Sequence, residues 1–231
     1  MPTICLTGFA LSVSRLDGST EAQSLTNQTA LLPSCPQILS RIHPTEYIYY
    51  YNPQARGTTK ANLCARLEEA IKRFDEESYW VAGEICLHEG RKEQTSMISK
   101  FILVADACRK LGNFFSLFTI LGALDFPEVR RFKRAWKAVP DKLKRLMAEL
   151  QGVMETSRNM KVYRAEYDEF EGHPRIPFLP LHLKDLVFLK EGSRRGASGA
   201  ASYEVYSESM ARLVQKITFP RMCVMRCVRS H

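Results

Sequence analysis

The sequence predicts an all-α protein, and three observations carry that prediction. Apolar residues recur at three-to-four spacing over most of the chain, period-two alternation never extends beyond a few residues, and Gly, Pro, Asn and Asp punctuate the periodic stretches. No internal repeat points to a solenoid or a propeller. The expected architecture is one multi-helix bundle around one core.

Residues 1–35 mix Ser, Thr, Gly and Gln with weak periodicity and read as a poorly ordered lead-in. From Pro36, the positions Ile38, Leu39, Ile42, Tyr47 and Ile48 predict a short helix and a second one after Pro44, broken by Asn52-Pro53 and Arg56-Gly57. A helix of several turns is expected from Thr59 to Leu87. Its buried stripe is Leu63, Leu67, Ala70, Ile71 and Phe74, extended by Trp80, Val81 and Ile85. The next helix sets Ile98, Phe101, Ile102, Ala105 and Cys108 on one face. Leu111-Gly112-Asn113 marks a stop and a restart, with Asn113 as N-cap. Phe114 to Leu124 is apolar nearly all round except for Ser116 and Thr119, the composition of a helix at the centre of a bundle.

Asp125-Phe126-Pro127-Glu128 opens another helix. Asp125 is expected to cap it, Pro127 falls where its missing N–H costs little, and Glu128 answers back. After Pro140, the residues Leu143, Leu146, Met147, Leu150, Val153 and Met154 form a clean stripe. Ser193 to Ala200 reads as a flexible link. An amphipathic stretch from Tyr203 to Ile217 follows, and the tail after Pro220 is basic and rich in Cys and Met.

A chain of 231 residues can bury one sizeable core, and 45% hydrophobic with 25% charged residues is ordinary for a globular protein. No apolar run approaches the roughly 18 residues a bilayer requires, and the N-terminus lacks the basic start of a signal peptide. Seven scattered cysteines without framework spacing argue for a reduced, cytoplasmic chain, with Cys86 and Cys108 as small core hydrophobes. Cys223 and Cys227 share a helical spacing, but only His231 stands near them, so no metal site is assigned.

The formal net charge of +8 calls for an acidic partner: nucleic acid, an anionic membrane leaflet or an acidic protein surface. The stretch Arg130-Arg131-Phe132-Lys133-Arg134-Ala135-Trp136-Lys137 invites a nucleic-acid reading, yet Val129, Phe132 and Trp136 fall at helical spacing and belong to a core face. Its cations then form either a solvated face or a docking face for an acidic protein. The chain has no phosphate-binding Gly-x-x-x-x-Gly-Lys-Ser/Thr loop, no Gly-x-Gly-x-x-Gly and no His-Glu-x-x-His. His43, His88, His173 and His182 form no ligand or triad spacing. No cofactor is implied, and the chain is not expected to carry out bond chemistry.

Four blocks, in order and in register over roughly residues 36–192, carry a resemblance to a known family. The first is Thr58-Thr59-Lys60-Ala61-Asn62-Leu63 with Arg73-Phe74-Asp75-Glu76-Glu77-Ser78-Tyr79-Trp80-Val81-Ala82-Gly83-Glu84-Ile85-Cys86. The second is Lys100-Phe101-Ile102 with Ala105, Cys108 and Leu111-Gly112-Asn113-Phe114-Phe115-Ser116. The third is Val129 to Trp136 with Ser157-Arg158-Asn159-Met160-Lys161-Val162-Tyr163-Arg164. The fourth is Ile176-Pro177-Phe178-Leu179-Pro180-Leu181-His182-Leu183-Lys184-Asp185-Leu186, ending in Lys190-Glu191-Gly192. Together they resemble the catalytic domain of Ras-family guanine-nucleotide exchange factors, and most of all the Rap-directed members.

The resemblance implies a bundle with a projecting helical hairpin that prises switch I of a small GTPase of the Ras/Rap family away from its nucleotide and magnesium. The expected division is a poorly ordered lead-in over 1–35, an exchange domain over 36–219 with the hairpin at about 177–217, and a basic tail over 220–231. The hairpin's first helix corresponds to about Leu181–Lys190, entered through Pro177 and Pro180. By the match Val187 presents an apolar side chain where the magnesium sat, and Glu191 a carboxylate toward the phosphate-binding lysine. Asp185 shares a helix face with Phe188 and Glu191, and Asn113 supports the GTPase contact. Phe178 buttresses the hairpin base, while Phe188, Lys184 and Ser193 complete the partner surface.

Read without the resemblance, Asn113 is an N-cap, Phe178 a core residue, and Arg164 the partner of an internal carboxylate. After Gly192 the family pattern of Asn and a Leu-Ile-Asn-Phe-like arm gives way to Ser193 and then Tyr203-Glu204-Val205-Tyr206. Two other readings therefore stand beside exchange: a scaffold that keeps the fold to bind another protein, and a basic helical bundle on anionic lipid. The expected location is cytoplasmic with recruitment to a membrane, without nucleic acid; the sequence sets no oligomeric state.

Overall fold

The computed structural model describes residues 34–50, 63–173, 175–196 and 207–218, and every regular element among them is a helix. In chain order these are α1 (Ser34–Arg41), α2 (Pro44–Tyr50), α3 (Ala65–Cys86), α4 (Arg91–Lys110), α5 (Phe114–Leu124) and α6 (Pro127–Arg130). Then come α7 (Lys133–Ala138), α8 (Asp141–Val153), α9 (Ser157–Glu169), α10 (Leu179–Gly196) and α11, residues 207–218. The expected all-α class is what the protein has. The lead-in over 1–33, the Thr58–Asn62 block, most of the link after Gly196 and the tail lie outside the described residues.

The chain divides into two compact units. One takes in Phe74–Glu171, the other Cys35–Arg73 with Gly172 onward, so α3 contributes residues to both.

In the first unit α5 is the core helix. Every residue from Phe114 to Leu124 is buried except Gly122, which is half-buried, as its all-round apolar composition requires. The predicted face of α4, namely Ile98, Phe101, Ile102, Ala105 and Cys108, is buried completely. Phe114 meets Tyr163, Tyr167 and Phe170 edge-on with ring centroids 5.2, 5.8 and 5.8 Å apart, which fastens α9 to α5. Each such pair contributes roughly 0.5–1.5 kcal/mol beyond its burial.

The α4–α5 break is built as the sequence predicts. Gly112 takes φ +68, where a Cβ is disfavoured, and Asn113 caps α5 by accepting from Ser116 N at 3.1 Å. The next junction differs from expectation. Asp125 does not cap α6: it ends α5, and Phe126 holds the N-cap position of α6 without a side-chain bond. The Asp125 carboxylate is taken up by Arg130, whose Nε lies 3.0 Å away, and by Gln151 Nε2 at 3.1 Å. A guanidinium and a distant amide outcompete the local backbone donors for it.

The start of α9 is also irregular. Arg158, Asn159 and Met160 have φ of 49, 58 and 57, a left-handed turn that L-residues adopt at a cost of roughly 1–2 kcal/mol each. Arg164 Nε donates to Asn159 O at 2.8 Å and ties the turn back to the helix.

In the second unit, a buried carboxylate organises two helix starts. Glu46 Oε1 accepts from His43 N at 2.9 Å, while its Oε2 accepts from Arg66 N at 2.9 Å and Leu67 N at 3.0 Å. It thereby satisfies donors at the start of α3 that have no partner within the helix, with a negative charge where the helix dipole favours one. Leu39, Ile42, Tyr47, Leu67 and Ala70 are buried as expected, whereas Ile48 and Leu63 are exposed at 48% and 38%. Met210, Val214 and Ile217 form the buried stripe of α11 at 4- and 3-residue spacing.

Candidate functional site

The expected site residues divide between the two units. Asn113 belongs to the first; Phe178, Lys184, Asp185, Val187, Phe188, Glu191 and Ser193 belong to the second.

Asn113 is 8% exposed and both of its amide atoms engage Ser116: Oδ1 accepts from the backbone N, and Nδ2 donates to Oγ at 3.0 Å. Its local role is the helix cap that the bare residue pattern predicts. Both groups of the amide are held, so its orientation is set.

The other residues lie on or beside one helix. α10 runs for 18 residues from Leu179, starting two residues earlier and ending six later than the expected Leu181–Lys190. Pro180 sits in its first turn, where a proline leaves no donor unsatisfied. The C-terminal extension takes in Ser193, Arg194, Arg195 and Gly196, which composition had assigned to a flexible link. The backbone here is helical; the side chains of Ser193 to Gly196 lie outside the described residues.

Leu179, His182, Leu183 and Leu186 recur at 3- and 4-residue spacing and are all buried, anchoring one side of α10. The opposite side begins with buried Leu181 and then carries Lys184 and Phe188, one turn apart. Phe188 is 61% exposed, and Lys184 Nζ stands 5.5 Å from the centroid of its ring, a cation over an aromatic face. Helical geometry puts Glu191 on this outer side beside Phe188, with Val187 and Asp185 on its two shoulders; all three are half-buried. Phe178, half-buried, stands immediately before the helix. Asp185, Phe188 and Glu191 thus lie on one helix, spread over about a third of its circumference. Among the described residues no three or more His, Cys, Asp or Glu are grouped to hold a metal ion.

The RasGEF domain family model matches residues 25–207 of this chain, a stretch that includes both units' site residues. The chain belongs to the RasGEF domain family. Rap guanine nucleotide exchange factor 5 of Homo sapiens is 33% identical over 168 residues, covering 72% of this chain and 28% of that protein. Rap guanine nucleotide exchange factor of Caenorhabditis elegans is 35% identical, covering 72% of this chain and 11% of its own length. Rap guanine nucleotide exchange factor 3 of Rattus norvegicus is 33% identical over 182 residues, covering 78% and 19%. This RasGEF domain therefore spans only about a tenth to just over a quarter of those relatives.

The RasGEF match continues past Gly192 to Ser207, the first residue of α11. Two features of the domain escape sequence reading. The carboxylate of Glu46 sits in an unremarkable Pro-Thr-Glu-Tyr context, and its three amide donors lie up to 21 residues away. The left-handed turn carries one local signal, Asn159, since Asn enters that region more readily than most residues.

Proposed function

We propose that this RasGEF domain binds a small GTPase of the Ras/Rap kind and speeds release of its guanine nucleotide, making and breaking no covalent bond. The observation that carries the reading is α10: a helix anchored by Leu179, Leu181, His182, Leu183 and Leu186, with Phe188 exposed beyond its first turns and Val187 and Glu191 beside it, inside the family-matched stretch. The names of the relatives, all Rap exchange factors, support a GTPase of that group as partner.

The physics of release favours such a lever. A small GTPase holds its nucleotide through backbone amides, a lysine and a magnesium ion around the phosphates. Displacing those contacts takes about 1.4 kcal/mol of barrier for each tenfold gain in rate. At about 1.5 Å per residue, α10 is a rigid rod roughly 27 Å long, able to transmit a push without bending. Val187 would bring an apolar group to the magnesium position, and Glu191 would offer the lysine a carboxylate in place of the phosphates. Asp185, Phe188, Lys184 and Ser193 would meet the GTPase around them, with Phe178 at the helix base and Asn113 supporting the contact. The domain would act in the cytoplasm, where its GTPase partner is met.

Release of fluorescent GDP from a panel of Rap and Ras GTPases tests this. The full chain accelerates release from at least one of them. Glu191→Ala and Val187→Asp each slow that acceleration by about tenfold or more with helix content unchanged. Acceleration of none of the panel, with binding retained, leaves a non-catalytic scaffold and overturns the exchange reading.

A further inference from the structure

We propose that α6, α7 and the first turns of α8 form a docking face for an anionic phospholipid bilayer, independent of the exchange reading. Between Asp125 and Arg145 stand eight Lys and Arg against three Asp and Glu, so this stretch carries five of the chain's net eight positive charges. Arg130, Arg131, Lys133, Arg134 and Lys137 are all exposed, and Lys142 and Arg145 extend the set onto α8. Buried Ala135 sets the orientation of α7: its carbonyl accepts from Thr95 Oγ1 of α4 at 3.2 Å, so Lys133 and Lys137, about half a turn away from it, project outward.

Two of the three acidic groups of this stretch pair with Arg130 and Lys144 and neutralise those two cations alone. Asp125 is held by Arg130 and Gln151, and Asp141 by Lys144 at 3.0 Å, which leaves Glu128 as the carboxylate without an ion pair among the described residues. Arg131, Lys133, Arg134 and Lys137 make no ion pair among the described residues.

Beside the cations stand two large exposed apolar side chains. Leu87 is 77% and Tyr79 69% exposed. The Tyr79 ring lies 5.5 Å from that of Phe126, and Cys86, next to Leu87, has its Sγ 3.8 Å from Glu128 O, so both border α6. Apolar groups that enter the acyl boundary, flanked by Lys and Arg at phosphate level, are the composition of an interfacial membrane contact.

Nucleic acid fits less well, because the aromatic rings in the basic run are half-buried and each already carries an arginine over a face. Arg130 lies 4.5 Å from the Trp136 ring, whose Nε1 donates to Val129 O, and Arg131 lies 5.1 Å from the Phe132 ring. A base stacking on either ring would have to displace that guanidinium or use the other, partly buried face. An acidic protein would call for an apolar centre ringed by charge, whereas here the apolar side chains stand at the border of the cations.

Sedimentation of the full chain with vesicles of phosphatidylcholine containing about 30% phosphatidylserine, without any GTPase, tests the proposal. Binding is expected to the mixed vesicles, to be absent with phosphatidylcholine alone, and to fade with salt. The triple variant Lys133→Gln, Arg134→Gln, Lys137→Gln weakens it roughly a hundredfold. Leu87→Ser with Tyr79→Ser weakens it about tenfold, and Lys161→Gln on α9 leaves it unchanged. Should the triple variant fail to fold, Lys137→Gln alone is expected to weaken binding about fivefold. Equal binding to both vesicle types, or binding to the mixed vesicles that ignores these substitutions, overturns the proposal. So does a triple variant that keeps its lipid binding and loses affinity for an acidic GTPase in solution.

Discussion

Arg109 of α4 and Glu166 of α9 form a two-pronged ion pair, Nε to Oε2 at 2.9 Å and Nη2 to Oε1 at 2.6 Å, joining residues 57 apart in sequence. The side chains are 33% and 17% exposed, so water screens the pair only in part. The hydrogen bond to Glu166 raises the Arg109 pKa above its already high ordinary value, against an opposing effect of burial. Arg109→Ala or Glu166→Ala is expected to lower stability by about 1–2 kcal/mol, less than a buried pair because of that screening. Arg109→Lys recovers less than half, since an ammonium cannot present two parallel donors. Urea unfolding of the two single variants and the double variant measures the coupling.

The Cys108 thiol, fully buried, is pushed up to about 12 by burial first and by Glu77 second. The folded pKa is raised above the unfolded one, so the associated stability is complete below pH about 9 and is lost as pH rises toward 12. The slope is about 1.4 kcal/mol per pH unit. The stability difference between the wild type and Cys108→Ala should therefore shrink as urea midpoints are followed from pH 8 to about pH 10. A difference that stays constant over that range would contradict it. In the folded chain a maleimide at pH 8 should modify half-buried Cys86 and spare Cys64 and Cys108.

Glu46→Ala removes the acceptor of two backbone donors at the start of α3 and is expected to cost about 2–3 kcal/mol. Hydrogen exchange gives the local readout: the Arg66 and Leu67 amides lose protection in the variant. Unchanged protection at those two amides would mean that another acceptor serves them.

The left-handed turn at Arg158–Met160 distinguishes residue types by backbone alone. Asn159→Gly should be neutral or stabilising by under about 1 kcal/mol, because glycine occupies φ 58 without a Cβ penalty. Asn159→Val should destabilise by about 1–2 kcal/mol, since a β-branched residue is least tolerated there. Equal thermal midpoints for the two variants would argue against the turn.

Asn113 unites a structural and a proposed functional role, and one pair of variants separates them. Asn113→Ala should cost about 1 kcal/mol through loss of the α5 cap. Asn113→Asp keeps the cap acceptor and loses the Nδ2 donor, so its stability should remain within about 0.5 kcal/mol of wild type. A fall in exchange rate with Asn113→Asp at unchanged stability assigns the amide a role beyond capping.

The helical class, the limits of α5, the buried face of α4, the stop at Gly112 and the family are legible in the residues alone. Each of these is written in local spacing or in contiguous residues, where side chains three and four apart share a face whatever lies beyond them. Packing settles that Asp125 serves Arg130 and Gln151 rather than the helix it precedes, that Glu46 caps α3 through amides up to 21 residues away, and that α10 continues through Gly196. A carboxylate goes to the best donors within reach. Those donors are brought there by the packing of other helices, so no window of sequence contains the answer.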